Sequence, residues 1–183
     1  MTQLTPDLLE RAARVRLACF DVDGTLTDGR LFYDAEGRES KAFHVLDGQG
    51  LKLLEENGVA VAFITARRNA AIQARARDLG LQHVYTGVKD KGAVLLQLCE
   101  SLELSLEEAA HMGDDLPDLP ALMLAGLSAA VDVSAVILKT GAAASIRYVD
   151  GVAVVVKPIG GVMLEAALGA VESVVQQFPF MAA

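Results

Sequence analysis

Short aliphatic runs alternate along the chain with longer amphipathic stretches. This alternation is typical of strands joined by helices that return the chain to one parallel sheet. The pattern therefore predicts an α/β fold: a Rossmann-like, doubly wound parallel sheet with helices on both faces. The predicted strands are rich in apolar residues and end at polar or glycine positions; they cover residues 15–20, 59–64, 83–85, 109–112 and 128–131.

Amphipathic stretches between these strands predict helices over residues 47–56, 69–79, 91–102 and 116–124. Glycines shortly after three of them are the usual signals for a helix end. Near the start of the chain, Thr5 followed by Pro6 predicts the first residues of a further helix that runs to Arg14.

Two segments predict β-hairpins. Residues 31–43 carry the turn-like run 33–37 between two β-like segments, and this hairpin is expected to project from the sheet. Residues 146–149 and 152–157 are separated by an Asp-Gly pair and predict a second hairpin.

The chain shows no internal repeat, low-complexity linker or break in composition. Residues 160–178 are predicted to form a final helix. We therefore expect one domain over residues 1–183, with the projecting hairpin near residues 31–43.

The composition excludes several classes of protein. Of the 183 residues, 52% are hydrophobic, which argues against disorder, and no apolar run approaches the roughly 20 residues of a membrane span. The N-terminus lacks the pattern of a secretory signal, and two cysteines are too few for a disulfide framework, so a cytoplasmic location is expected. A net charge of −8 without a basic cluster argues against nucleic acid and membrane partners.

The sharpest local signal is an acidic turn directly after the first predicted strand. Asp21 and Asp23 are followed by Gly24, where the carboxyl end of a strand in such a sheet usually carries a ligand site. Mg²⁺ prefers oxygen ligands and commonly uses one or two carboxylates with phosphate oxygens. The turn alone is weak evidence, since incidental acidic turns are common.

Three further strand ends carry chemically useful residues. Thr65 ends the second core strand, Lys91 begins a helix, and the run 113–118 contains Asp114, Asp115 and Asp118. Each has an ordinary explanation alone: a helix N-cap, a solvated charge, and acidic residues that complement a helix dipole. Acid, hydroxyl, ammonium and acid at four strand ends in this order are much harder to dismiss.

Taken together, these motifs resemble the four motifs of the haloacid dehalogenase superfamily of phosphohydrolases, over residues 15–131. The resemblance implies that Asp21 is the nucleophile that forms an aspartyl-phosphate and Asp23 the general acid and base. It implies that Thr65 and Lys91 bind the phosphoryl oxygens. It also implies that Mg²⁺ is bound by the Asp21 carboxylate, the Asp23 backbone carbonyl and Asp114. Asp115 and Asp118 are expected to support the metal or Lys91.

More of the sequence, including residues 27–29, 41–50 and 67–75, resembles members of this superfamily that lack a cap domain and act on a small phosphorylated sugar acid. The resemblance implies a homotetramer with shared active sites, and Gly48, Arg67 and Arg75 near the substrate. An octulosonate 8-phosphate is the expected substrate and a nonulosonate 9-phosphate the alternative. The match declines after residue 131: the arginine expected at the entry to the last helix is absent.

A third alternative comes from another class of protein. A non-enzymatic phospho-acceptor domain also places an aspartate at a strand end beside Mg²⁺, a threonine and a lysine. Such a domain has no need for a general acid two residues after the nucleophile, so Asp23 favours the enzyme.

Overall fold

The computed structural model describes residues 6–131, 146–149 and 152–155. Its helices are α1 (Pro6–Arg14), α2 (Val45–Glu56), α3 (Ala70–Leu79), α4 (Lys91–Ser101) and α5 (Leu119–Leu124). Its strands are β1 (Leu17–Phe20), β2 (Phe32–Tyr33), β3 (Glu39–Ser40), β4 (Ala60–Thr65), β5 (His83–Thr86), β6 (Ala109–Gly113), β7 (Leu127–Val131), β8 (Ile146–Val149) and β9 (Val152–Val155). Single 3-10 turns at Leu106–Glu108 and Leu116–Asp118 precede β6 and α5.

Seven strands form one sheet in the order β5-β4-β1-β6-β7-β9-β8. The five strands from β5 to β7 are parallel, and β9 and β8 extend the sheet as an antiparallel pair. The predicted α/β sheet is thus confirmed. The chain builds the sheet outwards from β1 through β4 to β5 and then returns to β6 on the other side of β1. This reversal makes the carboxyl ends of β1 and β6 the expected position of a ligand site.

Neighbouring residues of β4 face opposite sides of the sheet, because successive side chains of a strand point in opposite directions. Phe63 packs in a cluster with Leu51 of α2 and Ile72 of α3. Ile64 packs in a second cluster with Leu95 of α4. The sheet is therefore covered by helices on both faces, and its central strands are buried.

Two helix boundaries differ from the prediction by two residues or more. α2 begins at Val45 rather than residue 47, because the His44 side chain accepts the Leu46 amide and caps the helix. The predicted helix 116–124 is divided into a 3-10 turn and α5. Pro120 has no amide hydrogen to bond back to Leu116, which explains the break.

The first predicted hairpin is confirmed as β2 and β3, which pair in antiparallel register. The second is confirmed for β8 and β9. The predicted helix 160–178 lies outside the described residues. Over residues 6–131, the segments between the strands of the large sheet hold only helices, turns and the first hairpin, with no inserted cap domain. No helix in the described ranges is long and apolar enough to cross a bilayer.

Candidate active site

The central strand β1 leads to a buried carboxylate that is paired with a lysine. Asp21 follows β1, and its amide donates a 2.8 Å hydrogen bond to the Met112 carbonyl on β6. Lys91, the first residue of α4, places its Nζ 2.5 Å from Asp21 Oδ1, and both side chains are buried. Burial raises the pKa of Asp21, and the Lys91 ammonium opposes that rise. Lys91 thus favours the ionised form of this carboxylate.

Asp118 holds the same ammonium from a second side. Lys91 Nζ lies 2.7 Å from Asp118 Oδ1, and His111 Nε2 lies 2.8 Å from that oxygen, with all three side chains buried. Burial alone raises the pKa of Asp118, but the His111 hydrogen bond and the Lys91 charge outweigh it and hold that pKa below its usual range. The expected support of Lys91 by Asp118 is therefore present.

A third carboxylate, Asp114, faces the acidic turn from the end of β6. The Thr25 hydroxyl donates a 3.0 Å hydrogen bond to Asp114 Oδ1. Gly24 has a φ of +94°, and a Cβ at this position would lie 2.1 Å from Asp114 Oδ2, so only glycine fits. Burial, followed by the negative charge of Asp21, raises the pKa of Asp114 to about 7.

These carboxylates fit a divalent cation. Asp21, Asp114 and Asp118 each offer an oxygen, and these oxygens lie within 4.8 Å of one another. Asp118 Oδ1 already accepts from Lys91 and His111, which leaves Asp21 and Asp114 as the carboxylates better placed to bind a metal. The repulsion that raises the pKa of Asp114 is the kind that Mg²⁺ relieves. The predicted ligands Asp21 and Asp114 are thus brought together, whereas the Asp23 carbonyl stays a prediction.

Asp23 points to a different neighbour from Asp21. Its Oδ1 accepts a hydrogen bond from the Nζ of Lys41, which follows β3 of the hairpin. Its Oδ2 is buried and has no hydrogen-bond partner within the described residues. The two aspartates of the turn therefore have separate lysines, Lys91 for Asp21 and Lys41 for Asp23.

The hairpin links Asp23 to Arg67 through alternating charges. Lys41 Nζ also lies 2.7 Å from Glu39 Oε1, and Glu39 Oε2 accepts a 2.9 Å bond from Arg67 Nη2. The Lys41 hydrogen bond is the largest cause that lowers the pKa of Glu39 to about 2. Burial alone lowers the pKa of Lys41, but its bonds to Asp23 and Glu39 raise it overall. Glu39, Lys41 and Arg67 are therefore held in their charged forms.

Thr65 is buried at the end of β4, the strand that pairs with β1, and its role in phosphoryl binding stays a prediction. Its hydroxyl accepts a 3.2 Å hydrogen bond from the Arg67 amide. The alternative role of Thr65 as a helix N-cap is wrong, because the N-cap of α3 is Asn69, whose side chain accepts the Ala71 amide at 2.7 Å.

Gly48 and Arg75 contact each other rather than Asp21. A Cβ at Gly48 would lie 2.1 Å from Arg75 Nη2, which shows how closely the guanidinium crosses α2. Arg75 also donates to Asp78 Oδ2 at 2.9 Å and lies 5.9 Å from the centre of the Phe43 ring. The substrate roles of Gly48, Arg67 and Arg75 stay predictions.

Sequence reasoning overlooked two residues that touch the site. His111 is buried on β6 and bonds to Asp118, although a single histidine in a strand carries no signal of such a contact. Lys41 was noted only as part of the resemblance, since a hairpin lysine carries no signal of its own. Only the three-dimensional fold brings it to Asp23.

The chain is similar in sequence to a known family of hydrolases. Residues 83–156 match the family model of haloacid dehalogenase-like hydrolases. Over 125 residues the chain is 42% identical to the 3-deoxy-D-manno-octulosonate 8-phosphate phosphatase of Yersinia pestis, which covers 68% of this chain and 67% of that protein. The chain belongs to this phosphatase family. It is therefore a phosphatase of the haloacid dehalogenase superfamily.

Solved structures of similar proteins agree with this family assignment. A hypothetical protein from Xanthomonas campestris is 62% identical, with a TM-score of 0.68 and coverage of 71% of each chain. The 3-deoxy-D-manno-octulosonate 8-phosphate phosphatase of Moraxella catarrhalis, in complex with magnesium ion, phosphate ion and a KDO molecule, is 42% identical with a TM-score of 0.65. That match covers 67% of this chain and 71% of the other. Because the chain belongs to a family of enzymes, the alternative of a non-enzymatic phospho-acceptor domain is not favoured.

Proposed function

We propose that this protein is a Mg²⁺-dependent phosphomonoester hydrolase that cleaves 3-deoxy-D-manno-octulosonate 8-phosphate, a step of lipopolysaccharide biosynthesis, through an aspartyl-phosphate on Asp21. The observation that carries the proposal is the convergence of Asp21, Lys91 and Asp114 in a family whose relatives are named for this substrate. The Moraxella relative was crystallised with magnesium, phosphate and the sugar acid, which supports the same ligands here.

In the first step, an Asp21 carboxylate oxygen attacks phosphorus and the bond from phosphorus to the sugar oxygen breaks. Asp23 gives its proton to the departing oxygen, so the sugar leaves as a neutral alcohol. The Lys91 ammonium has three donors, and Asp21 and Asp118 engage two of them. The third donor and the Thr65 hydroxyl stabilise the charge on the phosphoryl oxygens.

In the second step, water hydrolyses the aspartyl-phosphate. Asp23, now ionised, takes a proton from the water, whose oxygen attacks phosphorus. The bond from phosphorus to the Asp21 oxygen breaks, which releases inorganic phosphate and restores both aspartates.

Asp21, Asp114 and the backbone carbonyl of Asp23 hold Mg²⁺ in this proposal. The cation supplies positive charge that screens the two carboxylates and attracts the anionic phosphate to a protein whose net charge is −8.

Arg67 and Arg75 are proposed to bind the carboxylate and hydroxyl groups of the sugar acid, with Gly48 leaving space beside Arg75. Arg67 is 38% exposed and can reach a ligand from its bond to Glu39. Arg75 is 19% exposed and is fixed by Asp78, so it would contribute a more rigid contact.

We also propose a single domain over residues 1–183 that assembles in the cytoplasm as a homotetramer with shared active sites. Support comes from the hairpin, where Leu31, Phe32 and Tyr33 are all exposed, and from Val45 nearby in sequence, which is 78% exposed. A neighbouring subunit would cover the open site in place of a cap.

A phosphate-release assay tests the substrate and the nucleophile together. The panel contains octulosonate 8-phosphate, nonulosonate 9-phosphates and common hexose phosphates, each with and without Mg²⁺. We expect turnover to be fastest on octulosonate 8-phosphate, to require Mg²⁺ and to be abolished in Asp21→Asn. A preference for a nonulosonate phosphate would replace the substrate, and undiminished turnover in Asp21→Asn would refute the nucleophile.

A further inference from the structure

Lys41 lies outside the four motifs, yet its ammonium bonds directly to the carboxylate that the proposed mechanism uses for proton transfer. The lysine side chain is 1% exposed, although it belongs to the segment after a two-stranded hairpin. A lysine of this kind is usually extended into solvent, since burial of its charge is costly without partners. Its position therefore needs a reason beyond packing.

Lys41 bonds to only one of the two carboxylate oxygens of Asp23. Oδ1 accepts from the Lys41 ammonium, while Oδ2 is buried and has no partner within the described residues. A buried carboxylate oxygen without a donor is unusual, because such oxygens normally accept at least one hydrogen bond. Oδ2 is thus the oxygen left available for a group that enters the site.

Glu39 fixes the lysine in this position. It accepts hydrogen bonds from Lys41 at 2.7 Å and from Arg67 at 2.9 Å. The Lys41 ammonium is therefore held between the carboxylates of Asp23 and Glu39, and any movement would break two charged hydrogen bonds. Because β3 carries Glu39, the hairpin contributes directly to the shape of the active site.

We propose that Lys41 is a positioning residue for Asp23: it holds Oδ1 so that Oδ2 is the oxygen that exchanges protons with the departing sugar oxygen and then with water. This inference rests on the proposed role of Asp23 as general acid and base. It adds a residue, an assignment of the two oxygens and a catalytic reason for the hairpin.

The leaving group distinguishes this role from a merely structural one. The sugar oxygen is a poor leaving group that needs a proton, whereas the phenolate of 4-nitrophenyl phosphate leaves without one. We expect Lys41→Met to lower kcat/KM about 100-fold on octulosonate 8-phosphate and to change kcat/KM on 4-nitrophenyl phosphate by less than about threefold. We compare kcat/KM because it reports the steps up to the loss of the leaving group and excludes the hydrolysis step that both substrates share. Lys52→Met, at an exposed lysine of α2, is the matched control and should leave both rates unchanged.

A double-mutant cycle supplies the second measurement. If Lys41 acts through Asp23, the variant that combines Asp23→Asn with Lys41→Met should match Asp23→Asn alone within about twofold on the sugar phosphate. Equal losses on both substrates, or losses that multiply in the double variant, would overturn the inference. If Lys41→Met does not fold, Lys41→Gln replaces it, with the same selective loss expected.

The experiment also separates this inference from the proposed function. Full sugar phosphate turnover in Asp23→Asn would reject the acid–base role itself. A loss in Asp23→Asn without a loss in Lys41→Met would reject only the role of Lys41.

Discussion

Lys91 Nζ lies 2.5 Å from Asp21 Oδ1, although 70 positions separate the two residues in the chain. Both side chains are buried, and the lysine is shared with Asp118. The contact joins the ends of two elements, β1 and α4, on which the proposed nucleophile and a phosphate-binding cation depend. Its loss leaves two carboxylates without their common cation.

We expect Lys91→Met to lower kcat by at least about 100-fold, because a preorganised donor to the phosphoryl group is removed. Breaking a buried ion pair also costs about 3–5 kcal/mol of stability, so the melting temperature should fall. Steady-state kinetics and thermal unfolding measure the two effects. Lys89→Met, at an exposed lysine two residues earlier, should change neither; an active, folded Lys91→Met would contradict the assigned role.

Gly24 is expected to be required for metal binding, because a Cβ there would lie 2.1 Å from Asp114 Oδ2. Gly24→Ala should weaken Mg²⁺ binding by more than about tenfold, as measured by calorimetry, since displacement of one carboxylate removes a ligand. Gly58→Ala is a matched control: Gly58 has a φ of +80° and no atom within 4 Å of an added Cβ. It should cost about 1–2 kcal/mol of stability and leave Mg²⁺ binding unchanged. Equal effects on binding would show that backbone strain, not the clash, is responsible.

Much of the fold could be predicted because the strands and the helices have clearly different hydrophobic patterns in the sequence. β4 is buried on both faces and continuously apolar, and the strand end at Thr65 followed from that run. The helix start at Val45 could not be predicted, since it depends on a cap from His44, a residue that is seldom an N-cap.

The site could be predicted in part for a similar reason. The rule for carboxyl ends of parallel strands places four residues together, because each ends a strand, follows one or begins the next helix: Asp21, Thr65, Lys91 and Asp114. Lys41 and His111 obey no such rule. The contact of Lys41 with Asp23 depends on how the hairpin folds back towards the end of β1. The contact of His111 with Asp118 depends on how the chain turns after β6, and neither is set by local sequence.

The raised pKa of Asp114 gives the metal-free protein a definite pH dependence. The pKa is about 7 in the folded chain against 3.8 for an ordinary aspartate, so the folded state binds more protons between these values. Stability contributed by the protonated carboxyl is therefore lost as the pH rises from about 4 through 7. Without metal, we expect the melting temperature to fall over this range, and less steeply in Asp114→Asn.

Mg²⁺ should reverse this trend, because the cation favours the ionised carboxylate. Its apparent affinity should rise as the pH increases towards and past about 7, where Asp114 no longer has to release a proton. Titrations at pH 5.5, 7 and 8.5 measure this effect. An affinity that is independent of pH would remove Asp114 from the ligand set.

The exposed apolar end of the hairpin is expected to form the subunit interface. Phe32 is 45% exposed and forms with Tyr33 a two-residue strand that has little support of its own. The preceding residue, Leu31, is also exposed. Phe32→Asp should reduce the solution mass, measured by light scattering, from four chains to fewer, since a charge at the centre of an interface costs several kcal/mol. Leu96→Asp on α4 is a matched control with the same exposure of 45%, and should remain a tetramer.

Activity should follow assembly if the sites are shared. Octulosonate 8-phosphate turnover in Phe32→Asp should then increase with protein concentration as subunits reassociate, whereas the rate per subunit of Leu96→Asp should be constant. The hairpin also holds Lys41 beside Asp23, so a monomer that kept its full rate at every concentration would limit the hairpin to its role within one subunit.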